Sequence, residues 1–197
     1  MTYRDEMAKK TKNKIINTSV KLFKKYGYDN VTVKDIIGTA KVSNGAFYAH
    51  FKNKEALLEE AIFYYDQVYL DYFQKDMSAG EYADKNPLQK LELFVLQVNR
   101  ILTMNGPESV RLYMGYTMKH PAVLARDNRH YFEILRELIA ECRQQKLIND
   151  LYTNEQLLDM LFYLNRSIPL EWAIRDGDYP IAAKDDLITI FIRQIKA

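Results

Sequence analysis

With 197 residues, 48% of them hydrophobic and 27% charged, the chain has room for one or two domains, each with a buried core and a solvated surface. A single cysteine, Cys142, excludes an internal disulfide and any cysteine-rich zinc site. The formal net charge of +2 hides an asymmetry: residues 1–55 hold twelve Lys/Arg and five Asp/Glu (+7), and the remainder holds sixteen and twenty-one (−5). A basic head on an acidic body is the electrostatic footprint of a nucleic-acid module joined to something else.

Helical spacing predicts a first helix from about Lys10 to Tyr26, with Ile16, Ser19, Val20, Phe23 and Tyr26 inward and Gly27 as its stop. Lys9, Lys10, Lys12 and Lys14 crowd its expected start, where the helix dipole disfavours cations. Phosphate contact or a flexible basic arm would each account for them. Thr32 followed by Asp35 has the pattern of a capping box, and Val33, Ile36, Ile37 and Ala40 share one helical face. After a Lys41-Val42 turn, Ser43 caps a second short helix. It turns Asn44, Gly45, Tyr48 and His50 outward and Ala46, Phe47 and Phe51 inward. This is a helix-turn-helix with a polar second helix, the geometry that enters a DNA major groove.

Asn53 caps a long helix from Lys54 to about Lys75. Further helices are expected from Pro87 to Met104, Glu108 to Met118, and Pro121 to about Lys146, the last with Leu124, Tyr131, Leu135 and Cys142 on its stripe. Thr153 with Gln156 forms a second capping-box pattern and opens a helix reaching Arg175. A final helix spans Ala183 to Lys196. No apolar run approaches the ~20 residues a membrane span requires, and no apolar signal segment opens the chain, so a cytoplasmic protein without a membrane partner is expected.

The stretch from Val31 to Leu57, with Phe23, Gly27 and Tyr28 before it, resembles the DNA-binding domain of the TetR family (TetR/AcrR type) of bacterial transcriptional regulators. The matching residues are Val31-Thr32-Val33, Asp35-Ile36, Ala40, Val42-Ser43, Gly45-Ala46-Phe47-Tyr48, His50-Phe51 and Lys54-Glu55-Ala56-Leu57. Lys41 stands where many members carry glycine, and a positive φ there would strain it. The resemblance implies an all-α fold. A three-helix DNA-binding domain (residues 8–53, motif about 32–51) would precede a six-helix effector-binding and dimerisation domain (residues 54–197).

It also implies DNA-binding roles for Thr32, Val33, Lys34, Ser43, Asn44, Gly45, Ala46, Tyr48, His50, Lys52 and Lys54. By position Asn44 is the best candidate for reading a base edge, since Asn pairs bidentately with adenine. Tyr48, His50 and Lys54 match family positions that contact the DNA backbone.

In the body, the Tyr- and Met-rich helices suit a mostly apolar effector pocket. The candidates are Tyr65, Tyr69, Tyr72, Phe94, Val98, Ile101, Met104, Tyr113, Met114, Thr117, Met118, Tyr131 and Arg166. Arg166 can serve either an anionic ligand or a dimer interface. The resemblance implies a homodimer formed through the last two helices; their apolar stripes, with Leu157, Leu161, Leu164, Ile168, Trp172, Leu187, Phe191 and Ile195, are compatible with that and with ordinary core packing. No catalytic motif, cofactor motif or metal-ligand spacing occurs, and the three histidines are unpaired in sequence. The expected function is a dimeric repressor, bound to a palindromic double-stranded operator and released by a small, largely apolar effector. The alternatives on the same fold are an activator and a regulator that answers to a protein partner.

Overall fold

A computed structural model describes residues 3–124 and 129–197. Nine α-helices run through them: α1 (Tyr3–Tyr26), α2 (Val33–Ala40), α3 (Asn44–Tyr48), α4 (Lys54–Tyr72), α5 (Pro87–Thr103), α6 (Pro107–Lys119), α7 (His130–Gln144), α8 (Asn154–Ile174) and α9 (Asp185–Ile195). The described residues contain no strand, only an isolated bridge between Ile148 and Lys196. The all-α expectation holds. No described helix is long and apolar enough to cross a membrane.

Local chemistry sets the helix ends. Thr32, Asn86 and Thr153 each close a reciprocal capping box, with Asp35, Gln89 and Gln156 respectively. Asn53 Oδ1 accepts the Ala56 N–H at 2.7 Å, at the start of α4. α1 begins at Tyr3 rather than near Lys10, and its first turn holds Asp5 and Glu6. The lysine cluster therefore lies beyond that turn, and acidic residues occupy the dipole's positive end. Tyr26 departs from its inward assignment and is 49% exposed.

The expected helix from Pro121 to Lys146 is two pieces. Pro121–Leu124 form a separate 3-10 turn, and Arg129 is extended (φ −122°, ψ 119°), so α7 starts at His130. The middle of that expected helix, residues 125–128, lies outside the described residues. α4 gives way to a π turn over Phe73–Ser78. Gly80 follows closely, and a Cβ there would sit 2.3 Å from the Lys75 carbonyl oxygen.

The chain divides into two compact units between Tyr64 and Tyr65, inside α4 rather than at its start. In the first unit, α1 packs on α2 and α3. Ile15, Ile16, Phe23, Val31, Ile36, Ala40, Phe47 and Phe51 are buried. Each fully buried large apolar side chain contributes about 1.5–3 kcal/mol.

In the second unit, α5 is central and touches α6, α7, α8 and α9. Leu91, Phe94 and Val95 on it are fully buried. A polar chain threads this core: the Tyr131 hydroxyl donates to Asn165 Oδ1 (3.0 Å), and Asn165 Nδ2 donates to the Val95 carbonyl and to Asn99 Oδ1 (both 2.8 Å). Satisfying each group removes the desolvation penalty that an unbonded amide would carry. Cys142 is fully buried, and burial pushes its thiol up to about 12, so it is an inert packing residue.

Candidate nucleic-acid interface and body cavity

The short helix α3 is fixed from beneath. Phe47 is fully buried, with its ring centroid 5.6 Å from that of Phe51. Ser43 Oγ accepts the Ala46 N–H at 3.0 Å. This leaves Asn44 and Gly45 exposed, with Tyr48 57% exposed, while Ala46 and His50 are partly covered. Lys34 and Lys52 are exposed cations, and Val33 is half-buried on α2.

Thr32 is committed locally: its N–H and hydroxyl both donate to Asp35 Oδ2, at 2.8 and 2.6 Å. These bonds hold the Asp35 carboxyl below its ordinary value. Lys54 is also engaged. Its ammonium donates to the carbonyls of Tyr28 (2.7 Å) and Val31 (2.9 Å) and lies 4.1 Å from the Tyr28 ring centroid. It thus ties the start of α4 to the α1–α2 loop, a role the sequence did not reveal.

The turn between α2 and α3 adopts the geometry that glycine favours. Lys41 is left-handed (φ 50°, ψ 52°), with its N–H on the Gly38 carbonyl and the Val42 N–H on the Ile37 carbonyl. This is a Schellman closure. A left-handed non-glycine residue costs roughly 1–2 kcal/mol, and glycine gives back part of that gain through chain entropy. Lys41→Gly is therefore expected to stabilise the head by about 0.5–1 kcal/mol in urea denaturation. No gain would mean that the strain is relieved in solution.

In the body, a small cavity of about 30 Å³ is lined by Tyr69, Val98, Leu102, Tyr113, Met114, Arg129, Tyr131, Phe132, Phe162, Asn165 and Arg166. Six of the expected pocket residues are here: Tyr69, Val98, Tyr113, Met114, Tyr131 and Arg166. The others sit elsewhere. Met104 and Met118 face outward, 49% and 72% exposed. Phe94 is a core ring against Tyr69 and Phe73. Ile101 is buried in the core and Tyr72 packs against it. The Tyr65 hydroxyl accepts from Asn105 Nδ2 at 2.9 Å. Thr117 is buried and accepts from Arg166 at 3.1 Å.

Among the residues not foreseen, Arg129 matters most. Its side chain and that of Asp66 are 5% and 4% exposed, with Nε 3.1 Å from Oδ1. Asp66 also accepts the N–H groups of His130 (2.7 Å) and Tyr131 (3.1 Å). A carboxylate on α4 thereby caps α7, whose own N-terminal residue supplies no side-chain cap. Burial works against the Arg129 charge, but Tyr113 and Asp66 hold it above its ordinary value.

The expected dimerisation set also divides. Leu157, Leu161, Ile168 and Ile195 are buried in the body's own core. All four belong to one buried apolar cluster with side chains of α5 and α7. Leu164, Trp172 and Phe191 are half-buried, and the Trp172 indole donates to the Tyr179 carbonyl at 2.8 Å. Leu187 is 43% exposed, and Tyr163, Ile174 and Ile190, which sequence reasoning missed, are 60%, 68% and 58% exposed.

The fold is an all-helical helix-turn-helix module followed by a helical body. The family model "Bacterial regulatory proteins, tetR family" matches residues 15–61. The uncharacterized HTH-type transcriptional regulator YerO of Bacillus subtilis (strain 168) is 50% identical over 54 residues, 27% of this chain and 19% of YerO. The probable acrEF/envCD operon repressor of Escherichia coli (strain K12) is 26% identical over 145 residues, 70% of this chain and 64% of the repressor. These matches therefore span less than two thirds of each relative's length. The fold extends further: the transcriptional regulator FadR from Bacillus subtilis, solved in complex with stearoyl-CoA, superposes with a TM-score of 0.71 at 19% identity, covering 91% of this chain and 96% of FadR. Residues 15–61 are thus similar to the DNA-binding part of the TetR family of bacterial regulatory proteins.

Proposed function

We propose that the chain is a cytoplasmic DNA-binding transcriptional repressor that acts as a dimer on a palindromic operator and is released by a small, largely apolar effector held in the body cavity. The observation that carries this reading is the α3 surface: Asn44, Gly45 and Tyr48 exposed on a helix whose other face is locked by Phe47 and Phe51. A recognition helix needs that combination of outward polar groups and a rigid mount. The head's +7 charge supplies the phosphate attraction from which most affinity comes. Support for repression comes from the acrEF/envCD relative, and support for an effector from the ligand-bound FadR neighbour. The exposed apolar groups on α8 and α9, Tyr163, Ile174, Leu187 and Ile190, favour a second copy of the chain as partner. Because α4 spans the division between the two units, it is the element through which cavity occupancy would reach the head.

Operator selection from a random duplex pool tests the reading. Inverted repeats are expected, with half-site centres about one turn (~34–36 Å) or a multiple apart. Asn44→Ala should relax preference at one position per half-site, by about 1–3 kcal/mol. Lys52→Gln should weaken all sequences alike and lower the salt slope by about one unit. Lys54 is a poor probe of phosphate contact, because its loss would also release the Tyr28 and Val31 carbonyls. Recovery of no preferred sequence, with binding absent at low salt, would overturn the proposal.

A further inference from the structure

Two arginines line the body cavity, and their surroundings differ. Arg129 is matched by the Asp66 carboxylate. Arg166 has no carboxylate partner among the described residues; its one hydrogen bond goes to the neutral Thr117 hydroxyl, at 3.1 Å. That hydroxyl in turn donates to the Met114 carbonyl at 3.0 Å, so Thr117 supplies no charge. The Tyr69, Tyr113 and Tyr131 side chains line the same space, and burial keeps the Tyr69 hydroxyl protonated by raising it well above its ordinary value. Val98, Leu102, Met114 and Phe162 supply hydrocarbon. Among the described residues, Arg166 thus brings to the cavity lining one positive charge that no carboxylate matches, beside apolar walls.

Resting on the effector reading above, we infer that the cavity selects a singly charged organic anion, a carboxylate on an apolar body, with Arg166 as the group that reads the charge. The fork of a guanidinium fits a planar carboxylate with two parallel N–H bonds. A cationic ligand would meet the unmatched like charge of Arg166 at short range in a poorly solvated site. A dianion would leave one charge uncompensated there. A neutral ligand gains the walls but leaves Arg166 as it is. At about 30 Å³ the space holds only a water or two, so ligands that bind must part the lining side chains. The apolar part of the ligand supplies the free energy for that.

Calorimetric titration of the full chain with straight-chain C4–C10 carboxylates, their primary amides and their primary amines tests this. Carboxylates are expected to bind about tenfold or more tightly than the amides of equal length, with the amines weakest. Arg166→Gln should weaken carboxylates by about tenfold or more and leave amides unchanged. Arg166→Lys should recover part of the loss, and Arg193→Gln, which removes the same charge from the exposed side of α9, should change nothing. The carboxylate–amide comparison on the unaltered protein decides the matter even if Arg166 variants fold poorly. Amides binding as well as carboxylates, or carboxylates unaffected by Arg166→Gln in folded protein, would overturn the inference and leave the effector reading standing. If no head group at any length binds, the effector reading fails and takes this inference with it.

Discussion

Asp66→Ala is expected to destabilise the body by about 3–5 kcal/mol, the cost of leaving a buried charge without its partner. Asp66 does three things at once: it pairs with the Arg129 guanidinium and accepts the N–H groups of His130 and Tyr131. Asp66→Asn should cost less, because the amide oxygen still accepts one of the backbone groups while the charge is lost. Arg129→Met alone should also cost less, since the carboxylate keeps its two N–H bonds. The double substitution Asp66→Leu with Arg129→Met separates the contributions. Replacing a buried ion pair by packed hydrocarbon is often near neutral. Here the two α7 amides would remain orphaned, so about 1–3 kcal/mol should persist. Urea denaturation of the full chain, read at its body transition, measures all four. A cost under about 1 kcal/mol for Asp66→Ala would show that water replaces the carboxylate and that the pair is not a structural latch.

That latch was invisible in the sequence, and the reason is physical. A carboxylate beside Tyr65 on an otherwise periodic helix reads as part of the solvated face, and its partners lie more than sixty positions downstream. The local signals were different. Thr32–Asp35 and Thr153–Gln156 are closed by residues three apart, so their chemistry is complete within one turn, and the structure shows both boxes formed. The left-handed Lys41 was foreseeable on the same grounds: a two-residue turn between helices has few backbone solutions. Facing is harder. Leu157, Leu161 and Ile168 on α8 look alike on paper to Tyr163 and Ile174, yet the first three enter the core and the last two face out. When both sides of a helix are apolar, periodicity cannot say which side meets its own chain. Met104 and Met118 fell outside the cavity for a related reason, because composition carries no direction. The continuous helix expected from Pro121 failed because Leu124 and Tyr131 keep helical phase across a break that only the extended Arg129 backbone discloses.

Phe47→Ala is expected to abolish operator binding at every salt concentration, in contrast to the graded effects of surface substitutions. Phe47 is fully buried and meets the Tyr48 ring edge-on at 5.3 Å, so it sets the mount of the whole exposed face of α3. Truncation of such a ring costs about 3–5 kcal/mol. A unit of this size has little stability to spare. The loss should therefore unfold the head before the body, giving an early, separate transition in a thermal or urea profile. Phe47→Leu keeps most of the volume, costs about 1.5 kcal/mol or less, and should retain binding with a lowered head transition. Asn44→Ala provides the opposite signature: an unchanged transition with altered base preference. The comparison separates mounting from reading. If Phe47→Ala held its operator affinity within a factor of three at low salt, α3 would be positioned by something other than the ring beneath it, and the assignment of Asn44, Gly45 and Tyr48 as a rigidly presented surface would fail.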